Sequence, residues 1–121
     1  MRLVCVIVDD NKPFLDVARA LLERQGMPVV GVAANSLEAL SLVRERRPDV
    51  ALVDISLGEE SGFEVARVIA GYVGHVILIS SNAQDDYADL LADSPAAGFI
   101  SKTELSADAI RRVANSGRGH L

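Results

Sequence analysis

The sequence predicts an α/β fold in which five parallel strands form one doubly wound sheet. Three observations point to it. Short continuous apolar runs alternate along the whole chain with segments of helical periodicity. The runs are apolar at every position, as strands covered on both faces require. Most of the runs end on a polar residue, the edge at which sheets of this kind carry their sites.

Each element has its own signal. Leu3 to Val8 is an apolar run that stops at Asp9-Asp10. Asn11 can cap a helix with Pro13 in its first turn, where a missing N–H costs little. Phe14, Ala18, Leu21 and Leu22 follow at helical spacing, and Gly26 ends that helix. Val29 to Ala33 reads as the second strand. Ser36 is taken as the cap of a helix carrying Ala39, Leu40 and Val43, which breaks at Pro48-Asp49. Val50 to Val53 is the third strand and ends at Asp54. Gly58 to Gly62 reads as a turn, followed by a helix through Phe63, Ala66 and Ile69. Val76 to Ile79 is the fourth strand, ending in Ser80-Ser81. Gln84 to Ala92 reads as an acidic helix, and Phe99 and Ile100 as a short fifth strand before Lys102. Ser106 can cap a last helix, with Asp108 near the positive end of its dipole and Ile110, Val113 and Ala114 facing inward. The resulting (βα)5 order implies the flavodoxin-like strand order 2-1-3-4-5.

Composition narrows the function. A chain of 121 residues predicts one domain, 1–121, with a polar tail from 116 to 121 expected to fray. Seventeen acidic residues against twelve basic ones argue against a nucleic-acid binder, which needs a basic face. No apolar run is long enough to span a bilayer. MRLVCVIVDD lacks the cleavage region of an export signal, and the single cysteine, Cys5, allows no internal disulfide, so a cytoplasmic protein is expected. Cys5 lies inside the first strand, where an inert buried thiol is the natural reading.

At the carboxyl ends of the predicted strands stand Asp9 and Asp10, Asp54, Ser80 and, after Ser101, Lys102. Three carboxylates brought together repel one another, and a hard divalent cation relieves that repulsion. Mg2+ takes oxygen ligands and suits one or two carboxylates plus a phosphate. His75 and His120 stand far apart in sequence without cysteine partners, so no zinc site is expected. One carboxylate could then attack phosphorus, with the metal and Lys102 neutralising the transferring group and Ser80 donating to a phosphate oxygen. Taken singly, each of these residues has a plainer role. An aspartate at a strand end is usually a turn former or cap, as Asp49, Asp16 and Asp108 are read to be. Their coincidence at one sheet edge is the signal.

These segments resemble the receiver domain of two-component response regulators. VCVIVDDNKPFLDVARALLERQG is similar to its opening, and PDVALVDISLGEESGFEVARVI to its phosphoacceptor segment, with Asp54 eight residues before Gly62. VILISSNA and GFISK resemble its fourth- and fifth-strand motifs. The resemblance covers essentially the whole chain. It implies a phosphoacceptor, not a conventional enzyme, that takes a phosphoryl group on Asp54 from a histidine kinase or histidine phosphotransfer protein. It implies direct Mg2+ binding by Asp10, water-mediated binding by Asp9, and the backbone carbonyl of Ser56 as a further ligand, with Mn2+ able to substitute. It also implies that Ser80 and Phe99 switch together, that Lys102 pairs with the phosphate, and that Ser56 and Asn82 tune dephosphorylation. The signal would leave through the fourth helix, fifth strand and fifth helix, toward a protein partner or a second copy.

Two positions depart from the pattern. Gly58 stands where many receivers have proline and is expected to loosen the loop. Thr103 follows Lys102 where proline is common and often cis. A cis bond here costs about 3 kcal/mol, and a trans one puts the placement of Lys102 in question.

Other features take plain readings. The RERRP cluster of Arg44, Arg46 and Arg47 reads as a helix C-terminal cap, and Asp85, Asp86, Asp89 and Asp93 as a solvated helix face on the signalling surface. A stand-alone regulator is the favoured class. The alternatives are the receiver of a DNA-binding regulator, although no helix-turn-helix fits after the last helix, and a receiver fold that works without phosphorylation. A flavin binder would need a phosphate-cradling loop where this chain has DDNKP.

Overall fold

The computed structural model describes residues 3–81 and 88–116. Strands β1 (Cys5–Val8), β2 (Val29–Ala33), β3 (Val50–Asp54), β6 (His75–Ser80) and β7 (Gly98–Ser101) form one parallel sheet in the order β2-β1-β3-β6-β7. Counting sheet strands alone, this is the expected 2-1-3-4-5. Between β3 and the third helix a short antiparallel pair, β4 (Ser56–Leu57) and β5 (Glu60–Ser61), occupies the predicted turn.

The helices are α1 (Lys12–Arg24), α2 (Ser36–Arg46), α3 (Gly62–Ile69), α4 (Ala88–Ala92) and α5 (Ala107–Ser116). Of the helix expected over 84–92, only α4 lies within the described residues, and the tail beyond Ser116 lies outside them.

Strand side chains alternate between two cores. Cys5, Ile7, Leu52, Ile77 and Ile79 pack with Leu15, Ala18 and Leu22 of α1 and Ala107 and Ile110 of α5. Val6, Val8, Ala51, Val53 and Leu78 pack on the other face with Ala39 and Val43 of α2 and Phe63, Ala66 and Ile69 of α3. Burying each large aliphatic side chain contributes about 1.5–3 kcal/mol, so both faces hold the central strands in register. Burial also makes the Cys5 thiol inert, pushing its pKa up to about 12.

Two local expectations need correction. The cap of α2 is Asn35, not Ser36: its side chain accepts the Glu38 N–H at 2.9 Å, and Glu38 Oε1 in turn accepts the Ala34 N–H. Ser36 is the first helical residue, and its N–H and hydroxyl both donate to the Glu60 carboxylate. As expected, that helix stops ahead of Pro48: Arg46 is its last residue, and the C-cap Arg47 is left-handed (φ 47°) with its guanidinium 5.0 Å from the Tyr72 ring centre. Gly58 does not loosen its loop. It has φ 60° at the first position of the two-residue turn joining β4 to β5, where a II′ hairpin needs glycine and where proline, held near −65°, cannot fit.

Asn35→Ala should lower unfolding free energy by about 1 kcal/mol through the lost cap, read as a shifted urea midpoint with an unchanged slope.

Candidate functional site

Parallel register assembles the site. Val8 is level with Val53, Asp54 with Ile79, and Ser80 with Ser101. The next residues, Asp9 and Lys102, therefore emerge at the same sheet edge as Asp54 and Ser80. Carboxylate oxygens of Asp9, Asp10 and Asp54 lie within 4.8 Å of one another.

Asp9 is fully buried. Its Oδ1 accepts the Asn11 N–H at 2.9 Å. Its Oδ2 makes no hydrogen bond of good geometry and meets the Lys102 ammonium at 2.7 Å. The same ammonium stands 3.5 Å from Asp54 Oδ2. Asp54 is 7% exposed and accepts the Ser56 N–H at 3.4 Å. Asp10 is exposed at the rim. Ser80 is buried at the end of β6, and Phe99 lies half-buried on β7 against the α2–α3 core.

Burial, reinforced by the Asp9 carboxylate, pushes the Asp54 pKa up to about 6. Lys102 and the Ser56 N–H pull it down without cancelling the rise. One ammonium thus faces three carboxylates, two of them buried. The excess negative charge and all-oxygen donor set fit a hard divalent cation; among the described residues, no thiolate or imidazole belongs to the cluster.

Lys102 reaches this cluster through a trans peptide, since no described peptide bond is cis. It opens the 3-10 turn Lys102–Glu104, so threonine at 103 is compatible with its placement. Asp49 keeps its plain structural role, accepting the Val4 N–H at 2.8 Å. Asp108 pairs with Arg111 on the exposed face of α5. Asp89 and Asp93 are exposed as expected, while Asn82, Asp85 and Asp86 lie outside the described residues.

Gly62 is required by contact. A Cβ there would come within 2.1 Å of the Asp54 carbonyl oxygen, because its N–H donates to the Ile55 carbonyl at 2.7 Å. The spacing from Asp54 to Gly62 therefore reflects a close backbone crossing beneath the site. Phe14 was read only as part of a helix face, yet its ring centre lies 4.3 Å from the Lys102 ammonium. The sequence carries no signal for that contact.

The family model of the response regulator receiver domain matches residues 5–114. The chain belongs to this family. It is therefore a two-component signalling domain, not a conventional enzyme. The receiver is 32% identical over 118 residues to the uncharacterized transcriptional regulatory protein YvfU of Bacillus subtilis, covering 93% of this chain and 59% of that one. The chain spans about half the length of the curated relatives it matches first. Among solved structures, a LuxR-family two-component response regulator from Aurantimonas superposes with a TM-score of 0.82 at 25% identity, covering 99% of the receiver and 88% of that chain. A response regulator of Burkholderia pseudomallei shares the fold at 23% identity and a TM-score of 0.80, covering 94% and 68%. That structure contains a phosphorylated aspartic acid and a calcium ion. No described helix is long and apolar enough to cross a membrane.

Two predictions follow from the geometry. In the metal-free receiver the folded state takes up the Asp54 proton more readily than the unfolded chain, so this group lowers stability as pH rises from about 4 to about 6. Asp54→Asn should then stabilise the metal-free fold at pH 7 by about 1–3 kcal/mol, and the gain should vanish below pH about 4 in urea titrations. Gly62→Ala should cost about 3 kcal/mol or more in the same assay, since the clashing atom is backbone.

Proposed function

We propose that this receiver takes a phosphoryl group on Asp54 from a histidine kinase or histidine phosphotransfer protein. The observation that carries the proposal is the close set of Asp9, Asp10 and Asp54 with the Lys102 ammonium against two of its members. An Asp54 oxygen attacks phosphorus, and the bond from phosphorus to the donor's nitrogen or oxygen breaks, its electron pair leaving with the donor. Lys102 offsets charge on the transferring oxygens and Ser80 donates to one of them. Asp10 and Asp54, the backbone carbonyl of Ser56 and, through water, Asp9 would hold Mg2+, or Mn2+ in its place. The bound ion supplies positive charge that lets the carboxylate and the phosphoryl group approach. The calcium ion and phosphorylated aspartic acid in the Burkholderia structure are consistent with this chemistry.

After transfer, Ser80 would move toward the phosphoryl group and Phe99 would change rotamer with it, altering the surface of α4, β7 and α5. A downstream protein or a second copy would read that surface. Ser56 and Asn82 would set how quickly water removes the phosphoryl group. We propose a single receiver domain over 1–121, acting in the cytoplasm without touching nucleic acid or membrane itself, as a stand-alone regulator. The relatives' names favour a second reading, the receiver of a longer transcriptional regulator. The length of the native reading frame decides between the two.

Incubation with Mg2+ and acetyl phosphate should add one phosphoryl mass to the intact protein. The adduct should be absent in Asp54→Asn and should form about a hundredfold more slowly in Lys102→Ala. A wild-type chain that gains no mass at any Mg2+ concentration would sink the proposal.

A further inference from the structure

We infer that Phe14 is a positioning residue for Lys102 during phosphoryl transfer. The inference rests on the phosphoacceptor reading of Asp54 and deepens it. Lys102 roots in a 3-10 turn at the end of β7, and a flexible four-carbon stem separates that root from its charge. Where the ammonium rests is therefore decided by what surrounds its tip. Among the described residues, Asp9 Oδ2 lies 2.7 Å from it, Asp54 Oδ2 3.5 Å from it, and the Phe14 ring centre 4.3 Å from it.

The backbone that carries the Phe14 ring is tied back to the same cluster. Asn11 accepts the Phe14 N–H on its side chain at 3.1 Å, and Asn11's own N–H donates to Asp9 Oδ1. Asp9, Asn11, Phe14 and Lys102 thus form a closed circuit, with Asp9 engaged through both oxygens. An aromatic face attracts a cation without hydrogen-bond directionality. It can hold the ammonium inside the site, only 14% exposed, while leaving it free to shift from Asp9 toward charge developing at Asp54. A third carboxylate in place of the ring would pin the ammonium, and an aliphatic side chain would offer it no attraction.

The test is the kinetics of phosphorylation by acetyl phosphate with Mg2+. In this reaction the Asp54 oxygen–phosphorus bond forms as the phosphorus–acetate oxygen bond breaks, and acetate leaves with the electron pair. Phe14→Leu keeps an apolar side chain and removes the ring; Phe14→Tyr keeps the ring. The rate constant at saturating donor should fall roughly tenfold in Phe14→Leu and stay within about twofold of wild type in Phe14→Tyr. NMR provides a second readout that does not depend on any variant's activity. The Lys102 ε-methylene protons should be shifted upfield by the ring current in the wild type and in Phe14→Tyr, and should move to ordinary positions in Phe14→Leu.

Equal rates in wild type and Phe14→Leu would overturn the inference, as would a Phe14→Tyr variant as slow as Phe14→Leu. Unshifted Lys102 protons in the wild type would overturn it even if Phe14→Leu does not fold. A wild-type chain that takes no phosphoryl group would instead remove the underlying function, and the positioning role with it.

Discussion

Two buried carboxylates, Asp9 and Asp54, share one ammonium, and the character of this receiver depends on that imbalance. Asp9 claims Lys102 more closely than Asp54 does. Asp54 is left with part of its burial cost uncompensated, which raises its pKa to about 6. A carboxylate in that condition gains from any positive charge brought to it, and a divalent cation among three aspartates brings the most. Among the described residues, Asp54 meets no cation other than the Lys102 ammonium it shares with Asp9.

The surrounding structure keeps the imbalance in place. The two cores clamp β1, β3 and β6 from both faces, so Asp9 and Asp54 cannot separate without shifting strands whose side chains are buried on both sides. Gly62 closes the backbone under Asp54, and Gly58 folds the following segment into a tight hairpin beside Asp10. Glu60, at the end of that hairpin, accepts from Ser36 at the start of α2, where the helix dipole favours a negative charge. The β3–α3 connection is thereby anchored at its start, turn and end.

Legibility differed by element for physical reasons. The buried parallel strands announced themselves because a strand covered on both faces must be apolar throughout. Asp9, Asp10, Asp54, Ser80 and Lys102 were legible because each ends or follows such a strand. The α2 cap was misread although Asn35 and Glu38 have the spacing of a capping pair; Ser36 offered an equally good hydroxyl. The Gly58 turn was misread because glycine permits both a loose loop and a positive-φ hairpin, and pairing of Ser56–Leu57 with Glu60–Ser61 selects the second.

By itself the sequence determined the order of strands and helices, the apolar faces and which polar residues stand at the strand ends. Those are consequences of local periodicity and of the need to cover both sides of a parallel sheet. Only the tertiary structure decided how the ends meet: that Lys102 favours Asp9 over Asp54, that the peptide after it is trans, that Gly62 lies against the Asp54 carbonyl, and that Phe14 faces the ammonium. These contacts join residues on different elements. Their distances follow from strand register and helix docking, which no local pattern encodes.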